Sequence, residues 1–442
     1  MIVLFAIAGI PLVVAGAIAG WRRPVDVLLP AYALFVPFGS GLSILSGTNA
    51  TYGSPSTIIL VVLLPALAWQ AYTSSSGADP MDATAVPDAA RVPSTELTWV
   101  FLAIVAGLTG IWSIDPARTL TAFIALTAVA SLPLLLRLVP VTRLQVQRVE
   151  GALIVGGLAV GGYGLVLGLT GQLSAAADAG VRFGSDLTDP NHIAAALLLP
   201  LAICLNRALR RSLGHVLLYQ AASIVLTIAI LLTGSRGGTL AAILVILIII
   251  VMAGARTAII LSAVTVLVVL TIALVPAFLP DRLATEGSSG RTALWRIGAV
   301  ACLEHCLVGS GWNTYGEVYE GLEPSVWTVP VSRAGVQVQP HNNFLLVGVE
   351  AGLLGAAMLG LAMFFSFRDA IRLPRSLRSP PVAAFVGLAF TGMLLSNLEF
   401  KYFWMTVAYI SLLSQQQAYE RLAESAASPA PPTEEPVHVT HS

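Results

Sequence analysis

Long apolar runs separated by short polar stretches fill this chain from end to end. A spanning helix needs about 20 largely apolar residues. Runs of that kind lie at 2–20, 25–45, 57–72, 97–113, 117–139, 149–170, 191–206, 213–233, 238–254, 257–278, 341–367 and 382–415. The last is too long for one span, and Asn397, Glu399 and Lys401 interrupt it, so it is expected to divide in two. The pattern predicts an all-α fold, a polytopic transmembrane helical bundle of about 12–13 spans. Residues 1–418 read as one transmembrane domain with no separate soluble unit, and 279–340 as a large, partly helical loop within it. Residues 73–96 are rich in Ser, Asp and Pro and read as a flexible loop, while the Ala/Ser/Pro/Glu-rich 419–442 reads as a disordered tail.

Composition agrees with burial in lipid. Only 10% of the residues are charged and the mean hydropathy is +0.84, against about 25% charged residues in soluble domains. Net charge is zero and no long basic run occurs, so nucleic acid is not expected as a partner. Residues 1–20 end like a signal peptide, but the first positive charge, Arg22, follows the apolar run instead of preceding it. They read as the first span. Cys204, Cys302 and Cys306 are too few for a disulfide framework.

Charge changes the picture by orienting the bundle. Alternate loops carry Arg22, Arg23, Arg91, Arg137, Arg143, Arg148, Arg207, Arg210, Arg211, Arg256, Arg368, Arg372, Arg375 and Arg378, and with Arg421 this set holds 15 basic residues. The opposite loops hold 8, from Arg118 to Lys401. The positive-inside rule makes the first set cytoplasmic. The loop at 279–340 is then extracytoplasmic and the N-terminus faces outward.

The outward arginines sit beside glycine, proline and helix starts. In Thr233-Gly234-Ser235-Arg236-Gly237-Gly238, Ser235 is a good N-cap and the glycines admit close approach to backbone N–H groups. A helix start attracts anions, and the Arg236 guanidinium can grip phosphate oxygens with two parallel bonds. A plain interfacial cap remains open beside that reading. Arg182 precedes Asp189-Pro190-Asn191-His192, a helix start with Asp189 as N-cap and Pro190 at the first position. Asn191 and His192 could reach a ligand, although polar first-turn residues more often simply cap. Gly290-Arg291-Thr292 should begin a helix that runs through Glu304 and His305 to a stop at Gly309-Ser310-Gly311. In Gln339-Pro340-His341-Asn342-Asn343, proline suits the first turn of the span at 341–367 and places His341 at the positive end of the dipole. A neutral imidazole there is suited to deprotonate a sugar hydroxyl.

Together, Gly234-Ser235-Arg236-Gly237-Gly238, Gly290-Arg291-Thr292-Ala293-Leu294-Trp295, His341-Asn342-Asn343-Phe344-Leu345 and Glu350-Ala351-Gly352-Leu353-Leu354-Gly355 resemble the O-antigen ligase/polymerase superfamily. Ile111-Trp112-Ser113-Ile114-Asp115-Pro116, Asp189-Pro190-Asn191 and Gly309-Ser310-Gly311-Trp312-Asn313 add to the likeness, which covers roughly residues 97–365. Leu307 departs from it, standing where the family usually has proline before the glycine turn. The resemblance implies an enzyme of the bacterial inner membrane, acting on the extracytoplasmic face without metal or other cofactor. Its donor would be a glycan linked to a polyprenyl diphosphate, and its acceptor a hydroxyl on a glycan, lipid or cell-wall anchor. By the same resemblance His341 is the catalytic base, and Arg182, Arg236 and Arg291 hold the diphosphate.

Other polar residues read more plainly. Cys302 and Cys306 share a helix face but His305 points elsewhere, so no metal site is expected. Glu317, Glu320 and Glu323 read as a solvated face. Glu350 lies inside an apolar span, about 13 Å deeper than His341, and reads as a structural hydrogen-bond partner of a neighbouring helix, with a substrate role second. A lipid-linked oligosaccharide flippase is the rival function, but it needs cations along a central path, and here the polar groups gather at one face. The orientation is testable by substituting cysteine at Ser289 and Ser332 in a variant lacking the native cysteines. Both should react with a membrane-impermeant thiol reagent in intact cells; labelling only after permeabilisation would reverse the topology.

Overall fold

The computed structural model describes residues 20–43, 53–76, 94–173, 175–176, 180–181, 183, 189–210, 213–253, 291–326 and 338–427. Among them are fourteen α-helices: α1 (Leu28–Phe35), α2 (Pro55–Ser76), α3 (Ser94–Leu108), α4 (Pro116–Arg137), α5 (Arg143–Leu169), α6 (Pro190–Ala196), α7 (Leu198–Arg210), α8 (Leu213–Leu232), α9 (Arg236–Ala253), α10 (Arg291–His305), α11 (Tyr315–Val326), α12 (Asn343–Arg372), α13 (Ser379–Gly392) and α14 (Lys401–Ala427). The one extended pairing among the described residues is a two-residue antiparallel bridge, Ala175–Ala176 with Gly180–Val181. Seven helices or continuous helix pairs are long and apolar enough to cross a membrane, and Leu28–Phe38, Thr95–Ile111 and Ser379–Gly392 are shorter apolar ones. The chain is therefore an all-helical, multi-pass membrane protein. The apolar runs at 2–20 and 257–278 lie outside the described residues.

The run at 382–415 does divide, at the 393–400 turn between α13 and α14. Residues 419–427, expected to open a disordered tail, instead continue α14 to Ala427, and the rest of that tail lies outside the described residues. An i,i+4 bond from Gln416 Nε2 to Glu420 Oε1, 2.8 Å, carries the helix past its apolar stretch. Residues 402–413 of α14 are buried on every side, as suits a helix that is apolar all round. Trp404 meets Trp99 of α3 edge to face at 5.0 Å. The two indole N–H groups are satisfied by Leu398 O and Ser366 Oγ.

Polar contacts sort to the two ends of the bundle. One end holds ion pairs between Arg148 and Asp26, Arg207 and Glu150, and Arg137 and Glu96, with Tyr409 and Ser411 of α14 bonded to Glu150 and Glu96. All three arginines belong to the set assigned to the cytoplasm. The other end gathers helix starts. Asp115 caps α4, Asp189 caps α6 and Asn342 caps α12, while Gly238 N donates to Ser235 Oγ at the start of α9.

α12 is interrupted. Gly352 has φ 69° and ψ −171°, a region open essentially to glycine, and the break frees carbonyls of the preceding turn. The turn after α10 inserts there: Ser310 N donates to Val349 O at 2.9 Å and Gly311 N to Glu350 O at 3.0 Å. Glu350 is 2% exposed, and its Oε1 accepts the N–H of Tyr315, which opens α11. The structural role expected for this carboxylate is thus identified as helix capping. The 109–119 segment closes over the same turn, with Ile114 N bonded to Ser310 O and Trp312 N to Thr109 Oγ1. Arg118 pairs with Glu317, so that carboxylate is not simply solvated; Glu320 is exposed, and the Glu323 side chain lies outside the described residues.

A Cβ on Gly352 would sit 2.7 Å from the Val308 carbonyl carbon, and one on Gly309 (φ 97°) 2.4 Å from Glu350 O. Gly352→Ala should therefore destabilise the protein by about 3 kcal/mol, read as a lowered unfolding midpoint in detergent. Glu350→Gln keeps an acceptor for Tyr315 and should be mild by comparison. A wild-type midpoint for Gly352→Ala would show that the break does not hold the turn.

Candidate functional site

The site is built around the 393–400 turn. α13 has 14 residues, about 21 Å along its axis, short of the ~30 Å hydrocarbon thickness. Irregular backbone within that depth has to find its hydrogen bonds in protein or lie against a water-filled space. Asn397 is at the centre of the side-chain bonds that do this. Fully buried, it donates from Nδ2 to Leu388 O and Thr391 Oγ1, accepts from Asn343 Nδ2 at 2.6 Å and donates its own N–H to Asn343 Oδ1 at 2.9 Å. Asn342 Nδ2 reaches Met393 O, and Gln339 Nε2 donates to the exposed Glu399 at 3.2 Å. Residues 339–343 and 393–399 are thereby laced together, and His341 lies in the middle of the lacing.

His341 itself has φ 50°, a left-handed conformation uncommon outside glycine and of a kind that collects at functional sites. The expectation that Pro340 begins the helix is corrected. α12 starts at Asn343, because Asn342 is the cap, its Oδ1 accepting from Phe344 N and Leu345 N. His341 precedes the cap, still at the positive end of the helix.

Arg236 opens α9 as expected, with Gly234 at φ 63° before it and Ser235 as the capping side chain. The following glycines are where neighbours press in. A Cβ on Gly238 would lie 2.4 Å from Ala194 of α6, and one on Gly237 3.2 Å from Leu394. The start of α9 thus touches both α6 and the central turn. Gly392, at the head of that turn, is in equally close contact with Asn343 Nδ2. The residues next to Arg236 and His341 in the chain therefore contact the same turn.

Arg182 lies outside the described residues, although its neighbour Phe183 is buried and donates its N–H to Leu232 O, at the turn that leads to Arg236. Arg291 is the first residue of α10, and its side chain lies outside the described residues. α10 and α11 form a second small core with α12, made by Leu294, Ile297, Ala301, Tyr315, Val318, Tyr319, Leu346 and Val349. A Cβ on Gly298 would lie 2.5 Å from Leu345 Cδ2, so the Arg291 helix crosses α12 near its first turn.

Several site residues carry no motif of their own. Lys401 Nζ donates to the buried Ser54 Oγ at 2.7 Å, tying the start of α14 to that of α2. His192 Nδ1 is 2.8 Å from the Tyr402 hydroxyl, its ring stacks on Phe400 with centroids 3.5 Å apart, and it interacts electrostatically with His341. For Phe400, Lys401 and Tyr402 the interruption of the 382–415 run by polar residues was the available signal, and for His192 the helix start that carries it. Cys302 and Cys306 form a disulfide in the last turn of α10; their i,i+4 spacing on one helix face was legible, the bond was not.

The geometry defines a multi-pass membrane protein with a polar site assembled from helix starts at one end of its bundle. Residues 221–360, from within α8 to within α12, match the family model of O-antigen ligase, a family of glycan-transferring enzymes. No curated protein matches the chain. The matched region contains Arg236, Arg291, His341 and Glu350, while His192 and the 393–400 turn lie outside it. Arg236→Lys should impair activity strongly at normal expression, because lysine keeps the charge but not the planar fork. Wild-type turnover in that variant would reduce Arg236 to a lipid-headgroup anchor.

Proposed function

We propose that this protein transfers a glycan from a polyprenyl-diphosphate carrier to an acceptor hydroxyl on the extracytoplasmic face of a bacterial inner membrane, without a metal and with inversion at the anomeric carbon. His341 takes the proton of the acceptor hydroxyl, whose oxygen attacks the anomeric carbon as the bond to the diphosphate breaks. The polyprenyl diphosphate leaves with the electron pair, and Arg182, Arg236 and Arg291 stabilise the charge it gathers. The observation that carries this reading is that the segments bearing Arg236 and His341 both contact the 393–400 turn, Gly237 against Leu394 and Asn343 against Asn397. An imidazole and a guanidinium are the pair such a transfer requires, a base for the acceptor and a cation for the leaving group. The sidedness is supported by the arginine excess in the opposite loops and by the Cys302–Cys306 disulfide, which suits an oxidising compartment. The acceptor is a glycan, a lipid or a cell-wall anchor.

The decisive assay uses purified protein in detergent and excess chelator, where sidedness has no meaning and translocation cannot be scored. Wild type should transfer glycan from a matched polyprenyl-diphosphate donor. His341→Ala should still bind the donor but lose about 10²–10⁴-fold in rate. An inert wild type, activity that needs an added divalent cation, or a fully active variant would each overturn this mechanism.

A further inference from the structure

His192 is a buried imidazole in the site with one nitrogen committed and one open. It is 8% exposed. One ring edge is closed by the Tyr402 hydroxyl at Nδ1 and one face by Phe400. Nε2, on the opposite edge, has no hydrogen-bond partner among the described residues and is not sealed from solvent. The ring lies within electrostatic reach of His341, and α6, which carries it, is pressed against the first turn of α9 beside Arg236.

Hydrogen-bond accounting settles which nitrogen holds the proton. Tyr402 is 6% exposed, and His192 Nδ1 is the only partner of its hydroxyl among the described residues. If Nδ1 carried the hydrogen, the phenol would accept and its own proton would be stranded in a buried place, which costs about 1–3 kcal/mol. The phenol therefore donates, Nδ1 accepts, and the neutral ring carries its hydrogen on Nε2. A protonated ring would carry one there as well. Nε2 is thus a fixed N–H donor, and the ligand complementary to it is an acceptor oxygen, best an anionic one.

We propose that His192 Nε2–H binds an oxygen of the donor's diphosphate beside Arg236, with Tyr402 as the positioning residue that holds the ring in the donating tautomer. This rests on the diphosphate reading above, and the test separates the two. Purified full-length protein in detergent is titrated with undecaprenyl diphosphate, and with undecaprenol as the uncharged control, following tryptophan fluorescence. Wild type should prefer the diphosphate. His192→Ala should weaken diphosphate binding about 10-fold or more, the worth of a hydrogen bond to a charged group, and leave undecaprenol binding unchanged. His192→Gln, whose amide offers an N–H near the Nε2 position, should recover most of the loss, and Tyr402→Phe should show a smaller loss because the other tautomer becomes available. Diphosphate affinity unchanged in a folded His192→Ala overturns the proposal. So does an equal loss in the Ala and Gln variants for both lipids, which would make the residue a packing element. A wild type that binds the two lipids alike overturns the diphosphate reading itself, and this proposal with it.

Discussion

Backbone polar groups inside an apolar bundle must be satisfied by protein, and this structure is organised around two places where helices give them up. At Gly352 the break in α12 frees the carbonyls of Val349 and Glu350, and the N–H groups of Ser310 and Gly311 take them. The Glu350 side chain meanwhile caps α11 through Tyr315 N. One interruption therefore docks the whole α10–α11 unit onto the span that carries His341. Because glycines stand on both sides of the contact, with no room for a Cβ at either Gly309 or Gly352, the fit admits little adjustment. The distance between the Arg291 helix and His341 is set by this clasp.

The second interruption, at 393–400, is paired by side chains instead. Asn397 and Asn343 satisfy one another and the end of α13. That arrangement explains how a histidine with a strained backbone is held: His341 is flanked by Gln339, Asn342 and Asn343, each of them bonded to the turn. The Asn343–Asn397 part of this network is buried and satisfied, so removing either asparagine strands a buried polar group of the other. Preorganisation of this kind would hold the proposed base in place without reorganisation when charge develops.

What the sequence made legible follows the range of the interactions. Capping and helix starts are local, so Asp189, Ser235 and the helix beginning at Arg291 were read from neighbouring residues alone. The start of α12 was misplaced by two residues because Pro340 and Asn342 both carry local start signals, and the asparagine, whose side chain can accept two N–H groups, prevails. The partnership of 339–343 with 393–399 spans more than fifty residues and leaves no periodic trace. Asn397, Glu399 and Lys401 showed only as blemishes in an apolar run. His192 was underrated for the same reason: its cap-like neighbours are local, whereas Phe400, Tyr402 and His341 are not.

The distribution of polar groups bears on the choice between transfer and translocation. A flippase has to carry a diphosphate from one end of the bundle to the other, and that requires polar lining in between. At the opposite end the buried Glu96 and the partly buried Glu150 are bound to Arg137 and Arg207, and to Ser411 and Tyr409 of the central helix. Those groups are locked to one another across helices, and such pairs tie the bundle together. Between the ends, the described residues pack Leu, Val, Ala, Phe and Trp into one core, with α14 buried all round at its centre. A charged headgroup crossing that core would have to part Trp404 from Trp99 and give up solvation without replacement. The proposed chemistry at one face would ask for none of this: its groups would be held where helices begin, above an apolar middle that need not open.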